Sequence, residues 1–276
     1  MQTTRFAPSP TGRLHLGHAY SAWLAHQRAV ESGGRFLLRI EDIDSTRCKP
    51  EFTEGILEDL AWLGLSWEEP VRVQSQHLAD YAAALQELES RNLVYPCFCT
   101  RKAILEEIER SGAAPHGPEG PVYPGTCRNL SADECKTRRD HGQPHSLRLD
   151  LAAALDLTGP LTWIDRHAGK IPATPEELGD VILGRKDIGT SYHLSVTLDD
   201  ARQGITLVTR GTDLFHATHI HRVLQAVLDL PVPSYEHHPL LTDETGRRYA
   251  KRDQSQTLKA LRESGVQPTE ILGRWQ

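Results

Sequence analysis

Between Arg5 and His18 the chain reads R-F-A-P-S-P-T-G-R-L-H-L-G-H, a string that few folds can accommodate. Phe6 and Ala7 form a short apolar lead-in. Pro8, Pro10 and Gly12 then forbid both a continued strand and a helix interior, so the chain must turn sharply. A helical pattern opens directly behind them, carried by Leu16, Tyr20, Trp23 and Leu24 and stopped by Gly33-Gly34. A strand end, a tight turn and a helix start make an anion site, because unpaired N–H groups and the positive end of the helix dipole point outward. His15 and His18 place two imidazoles on one helix face, and Gly17 between them leaves room for a flat ligand at the backbone. Two imidazole donors suit a polyphosphate better than a metal, which needs further ligands close by.

Taken alone, an H-x-x-H pair is most simply two surface histidines on an amphipathic helix. In its full context, His15-Leu16-Gly17-His18 resembles the signature of the class I aminoacyl-tRNA synthetases, and the Arg5–Gly12 lead-in is similar to that of the glutamyl branch. The resemblance implies an ATP site at His15, Gly17 and His18, and an L-glutamate pocket that uses Arg5, Phe6, Ala7, Pro8 and Ser9.

Residues 35–40, R-F-L-L-R-I, are the continuous apolar run that a parallel strand covered on both faces requires. The run delivers Glu41, Asp42 and Asp44 at its carboxyl end, the edge where ligands bind in open α/β sheets. An acidic loop capping a helix is the alternative. The string resembles the family's, in which the carboxylate matching Glu41 receives the α-ammonium of the amino acid. Pro50 opens a helix through about Leu63, and Gln74 to Asn92 supplies another. Residues 1–93 are therefore expected to be the first half of a Rossmann-like α/β fold, a doubly wound parallel sheet.

From Val94 the character changes. Cys97 and Cys99 can bite one tetrahedral ion, and Cys127 returns after a Gly- and Pro-rich loop with a third thiolate. Tyr123, His116 and Cys135 are candidates for the fourth ligand; three buried thiols without a metal are the alternative. The resemblance implies a structural Zn2+ on Cys97, Cys99, Tyr123 and Cys127, in an insertion spanning 94–180 that splits the nucleotide fold. Ser131 and Glu134 form a capping box for a short helix through about Asp140, and Ser146 to Leu183 reads as short strands and turns.

Residues 181–240 are expected to return to the second half of the fold. Tyr192 heads H-L-S-V-T-L, which reads as a strand, and matches a substrate-contacting residue of the family. Arg210 ends the apolar strand that begins at Ile205, before Gly211 and a helix starting near Asp213, and a guanidinium there suits bidentate capture of a carboxylate. The resemblance pairs it with Arg5 on the carboxylates of glutamate, an arrangement that rejects glutamine's neutral amide.

The segment 241–276 contains T-G-R-R-Y-A-K-R-D where the family carries its K-M-S-K-S loop. Lys251 matches the lysine that stabilises the leaving pyrophosphate, whereas Arg248, Ala250 and Arg252 depart from the motif. After it only short helices near Leu258–Leu261 and Ile271–Leu272 are expected, without an anticodon-binding domain. A chain so shortened, with its cysteine pattern, resembles the glutamyl-Q tRNA(Asp) synthetases. That implies transfer of glutamate, activated by ATP and Mg2+, to queuosine in tRNA(Asp). A truncated glutamyl-tRNA synthetase charging a 3′ end, a small-molecule nucleotidyltransferase and a non-catalytic RNA-binding paralogue are the rivals.

Net charge is −6, unusual for an RNA binder, but affinity depends on where cations gather, and Arg247, Arg248, Lys251 and Arg252 form one cluster. No apolar run approaches the ~20 residues of a membrane span. The N-terminus lacks a secretory pattern, and five cysteines including one C-x-C do not form a disulfide framework. A cytoplasmic monomer is expected.

Overall fold

The computed structural model describes residues 1–111, 116–117, 120–241 and 257–275. Strand β1 (Thr3–Phe6) lies parallel to β2 (Arg35–Ile40), with Thr3 opposite Arg35 and Phe6 opposite Leu38, and β2 pairs in parallel with β3 (Glu68–Val73). Helix α1 (Leu16–Glu31) connects β1 to β2, α2 (Pro50–Trp62) connects β2 to β3, and α3 (Leu78–Ser90) follows. β2 is buried from Phe36 to Ile40, so its sequence shows no alternation. Ala19, Ala22, Ala25 and Ala29 of α1 join Phe6, Phe36 and Leu38 in one core, and side chains this small let the helix lie close to the sheet. Glycine is needed twice in the turn to β2. Gly33 sits at φ +62°, and a Cβ on Gly34 would fall 1.9 Å from the carbonyl oxygen of Gln2.

A second, antiparallel sheet follows, made of β4 (Val94–Cys97), β7 (Ser146–Leu149) and β10 (Ile182–Gly184) in the order β10-β7-β4. Between β4 and β7 come α4 (Arg101–Ser111), a short pair β5 (His116–Gly117) and β6 (Gly120–Pro121), and α5 (Ala132–Asp140) with the Ser131/Glu134 capping box. Where only strands and turns were expected, α6 (Leu151–Thr158) forms. Asp150 accepts the Ala153 N–H at its start, three consecutive alanines favour it, and Gly159 ends it at φ +63°. β8 (Thr162–Asp165) and β9 (Gly169–Pro172) then leave this sheet, and β8 pairs in parallel with a strand of the second half.

That half begins with α7 (Tyr192–Arg202), which corrects the strand expected for H-L-S-V-T-L. The segment is buried from Leu194 to Asp200, so no polar face marks a helical period. Its hydroxyls bond within the helix, Ser195 to the Ser191 carbonyl and Thr197 to that of His193. β11 (Leu207–Gly211), α8 (Ala217–Val227) and β12 (Ser234–His238) follow, with β11 parallel to β12 and Arg210 opposite His237. The Thr206 N–H bonds the Thr3 carbonyl at 2.9 Å, which sets β11 beside β1. The spatial order β3-β2-β1-β11-β12 reverses between β1 and β11, the switch point beyond which ligands bind in such sheets. Finally α9 (Leu258–Glu263) and α10 (Pro268–Leu272) bury Leu258 and Ile271 in the core of the first half.

Candidate active site

The carboxyl ends of β1 and β11 open into a cavity of about 370 Å³, walled also by the start of α1 and by Tyr192 of α7. Arg5, Phe6, Ala7, His15, Gly17, His18, Glu41, Tyr192 and Arg210 all line it. Ser9 lies in an adjoining pocket that shares Glu41 and Tyr192. Pro8 is buried and holds the Glu41 N–H through its carbonyl at 3.0 Å. Lys251, with Arg247, Arg248, Ala250 and Arg252, lies outside the described residues. Thr257 bridges to His15, and the Leu258 N–H bonds the Leu14 carbonyl at 2.8 Å, so the chain beyond that loop is tied to the start of α1.

The two imidazoles are more tightly built in than helix periodicity implies. His15 is the N-cap of α1: its Nδ1 accepts the Gly17 N–H at 3.1 Å, while Nδ1 of His18 accepts the His15 N–H at 3.2 Å. The expected free N–H groups are thus occupied by imidazole acceptors. Because each Nδ1 is an acceptor, a neutral ring carries its proton on Nε2, the form that donates to an oxyanion. A Cβ on Gly17 would come 3.1 Å from the His15 ring, so the glycine makes room for that imidazole rather than for a ligand.

Opposite lie the charged groups. Arg5 gives Nε and Nη2 to Asp200 and Nη1 to the Thr209 carbonyl, and Arg39 spans Asp200 and Glu41. Glu41 is buried, its Oε1 3.1 Å from Arg39 Nη2. Burial raises its pKa, against the pull of Arg39 and Arg5. Burial raises the pKa of Asp200 too, but Arg5 and Arg39 outweigh it and hold the carboxyl below the ordinary range. Arg210 differs: it is 5% exposed, and all its hydrogen-bond partners are neutral. Nε donates to His237 Nε2 at 3.1 Å, Nη1 lies 3.4 Å from the Tyr192 hydroxyl and 3.3 Å from His221 Nδ1, and Nη2 donates to Thr218. Burial, then the charge of Arg210, lowers His237 to about 4 and His221 well below the usual imidazole value, so both rings are neutral. Among the described residues no carboxylate pairs with Arg210. A buried guanidinium of this kind requires an anion, which the cavity is shaped to admit.

In the antiparallel sheet's loops the sulfurs of Cys97, Cys99 and Cys127 lie within 4.8 Å of one another. The Tyr123 hydroxyl is 3.4 Å from Cys97 Sγ and 3.7 Å from Cys99 Sγ, and accepts the Cys127 N–H at 2.9 Å. Three thiols converging on one hydroxyl fit a tetrahedral metal centre, and the cluster can hold an ion. Arg148 covers the Tyr123 ring, its guanidinium 3.8 Å from the centroid. Cys135 packs beside the cluster without joining it, and the side chain of His116 lies outside the described residues.

Several residues escaped the sequence reading. Asp200 and Thr218 belong to no motif, and His221 and His237 are two among fourteen histidines. The Asp199-Asp200 pair directly after H-L-S-V-T-L was the one available signal.

The family model described as the catalytic domain of class I tRNA synthetases (E and Q) matches residues 2–274. A glutamyl-Q tRNA(Asp) synthetase of Rhodobacter capsulatus is 50% identical, over 97% of each chain. One of Nitratidesulfovibrio vulgaris is 43% identical, over 98% of this chain and 83% of that protein. Among solved structures, a glutamate tRNA ligase from Elizabethkingia meningosepticum in complex with its amino acid superposes with a TM-score of 0.77 at 28% identity. The match covers 91% of this chain but 52% of that ligase. With its signature helix, its switch-point cavity and a match along nearly its whole length, the chain belongs to the class I tRNA synthetases of the E and Q branch.

Proposed function

We propose that this protein activates L-glutamate with ATP and transfers the glutamyl group to a hydroxyl of queuosine in the anticodon loop of tRNA(Asp). The observation that carries the reading is Arg210, a buried cation with only neutral partners, in the same cavity as His15 and His18. Glutamate's side-chain carboxylate supplies the missing charge, and glutamine's amide cannot. Glu41 takes the α-ammonium, Arg5 and Tyr192 shape the pocket, and Phe6 to Ser9 form its backbone wall.

The α-carboxylate of glutamate is already ionised, so no side chain has to act as nucleophile. Its oxygen attacks the α-phosphorus of ATP, and the bond to the β-phosphate oxygen breaks, releasing pyrophosphate. His15 and His18 donate from Nε2 to phosphate oxygens, and Lys251 meets charge developing on the leaving group. Mg2+ bound with ATP neutralises part of the triphosphate charge. A queuosine hydroxyl then attacks the acyl carbon, loses its proton, and AMP departs. Zn2+ on Cys97, Cys99, Cys127 and Tyr123 has a structural role, far in the chain from the reacting groups. The protein works in the cytoplasm, where tRNA resides, as a monomer.

The test is ATP–pyrophosphate exchange with glutamate in the absence of tRNA, followed by radiolabelled glutamate with queuosine-containing and queuosine-lacking tRNA(Asp). Exchange without tRNA and label only on the queuosine-containing form are expected. Label on the 3′ end of a glutamate tRNA would replace this reading with that of a glutamate tRNA ligase, which the structural match keeps in view. No exchange at all would overturn both.

A further inference from the structure

On its β12 side Arg210 is linked to a carboxylate through a ring. His237 Nε2 accepts from Arg210 Nε at 3.1 Å, and His237 Nδ1 lies 2.8 Å from Asp165 Oδ2. The first contact requires a lone pair on Nε2, so the ring's proton sits on Nδ1 and is donated to Asp165. Asp165 is itself fixed at the β8–β9 turn, where its other oxygen accepts the N–H groups of His167 and Ala168 at 2.9 and 3.0 Å. All three residues are buried, with 5% or less of their surface exposed.

From this geometry we infer that His237, held by Asp165, is a specificity-determining positioning residue: an uncharged spacer that orients Arg210 while keeping its charge available to the substrate. The physical reason is distance. A carboxylate in direct contact with Arg210 would be a complete ion pair and would compete with the incoming dicarboxylate; moved one imidazole width away, its attraction weakens as separation grows. The opposite arrangement appears beside it. Arg5 is in direct contact with Asp200, so of these two guanidinium groups only Arg210 is left to select charge. His221 and Thr218 complete the uncharged collar. The inference rests on the glutamate reading for its substrate, and on side-chain geometry alone for the spacer.

Two measurements test it. The first compares His237→Gln with His237→Glu, side chains of nearly equal shape that differ in charge. ATP–pyrophosphate exchange is followed with glutamate and with glutamine. His237→Gln is expected to keep the parent's preference for glutamate, with the KM for glutamate raised by at most about tenfold. His237→Glu, which places a carboxylate on Arg210, is expected to lower kcat/KM for glutamate by about 100-fold or more while leaving the KM for ATP unchanged. Equal losses in the two variants would mean that His237 only fills space, and would overturn the proposal.

The second measurement needs no catalysis. In the 15N-histidine NMR spectrum of the parent, the signals lost in His237→Gln should report a neutral ring protonated on Nδ1 at pH 7. A ring protonated on Nε2, or an imidazolium, would overturn the spacer whatever the enzyme's substrate. A parent that shows the expected ring but no exchange with glutamate would instead refute the proposed activity and leave a built anion holder of other specificity.

Discussion

At the scale of single residues, the cavity is a set of charges whose partners are assigned unequally. Arg5, Arg39, Glu41 and Asp200 neutralise one another, while Arg210 faces four uncharged ring or hydroxyl groups and the cavity. Replacing Arg210 with Met should therefore raise the KM for glutamate by about 100-fold or more, the scale of losing one partner of a buried charge pair. Binding of ATP alone should be unchanged, because His15 and His18 stand on another element. Exchange kinetics and calorimetric titration of ATP would separate the two effects. Arg210 could be weighed in the sequence because a strand-terminal cation at a sheet's carboxyl edge has a known use. Its collar could not, since His221 and His237 acquire their meaning only when β11, β12 and α8 pack together.

At the scale of elements, two attachments make separate predictions. The first is the docking of α9 on α2. Asp59 of α2 is fully buried, neither of its oxygens has a hydrogen bond, and its ion contact is Arg262 of α9 at 3.1 Å. Burial raises its pKa to about 6, with Arg262 and Arg13 opposing. A carboxyl whose folded pKa lies above its unfolded value holds its proton more tightly when folded. Its contribution to stability therefore falls as pH rises from about 4, the unfolded value, through about 6. Asp59→Asn removes this titration, so its stability should improve relative to the parent between pH 4 and pH 7. Urea midpoints at several pH values would show this, and a constant difference would contradict it.

The second attachment is the sulfur cluster that joins the β4 end to the loop carrying Tyr123 and Cys127. On the proposed zinc reading, the parent is expected to carry about one zinc per chain, and Cys127→Ala, which leaves two sulfurs and a phenol, should reduce this to a small fraction. Elemental analysis measures the metal. Glutamate-dependent exchange should persist, because the cluster and the cavity are built on different sheets. The C-x-C and the returning Cys127 were legible because thiol chemistry limits what such spacing can do. Helix α6 and the helical form of α7 were not. In α7 burial is nearly continuous, and local periodicity loses its signal when a helix has no solvent face.

At the scale of the whole molecule, the two halves of the nucleotide fold meet at the ends of β1 and β11, and Asp200 is the joint. It accepts from Arg5 of β1 and Arg39 of β2 while standing on α7. Burial pushes its pKa up, but the two guanidinium groups push it further down. The stability it contributes is accordingly complete above the ordinary aspartate value of about 3.9 and is lost as pH falls through its lower folded value. Asp200→Asn leaves two buried cations short of a partner and should cost about 3–5 kcal/mol in denaturant unfolding at pH 7. It should also shrink the gap between parent and variant as the pH is taken towards 2. A variant as stable as the parent would show that packing, not charge, holds the halves.

The sequence by itself determined the parts whose chemistry is local. Prolines and glycines before H-L-G-H force a turn into a helix start, a hexapeptide as apolar as R-F-L-L-R-I reads as a covered strand, and closely spaced cysteines have few uses. Tertiary structure alone decided which charges cancel. Arg5 and Arg210 look alike in the sequence, yet one meets Asp200 and the other meets neutral rings. Electrostatic partnership depends on distances between residues as much as 195 positions apart in the chain, which no local pattern encodes.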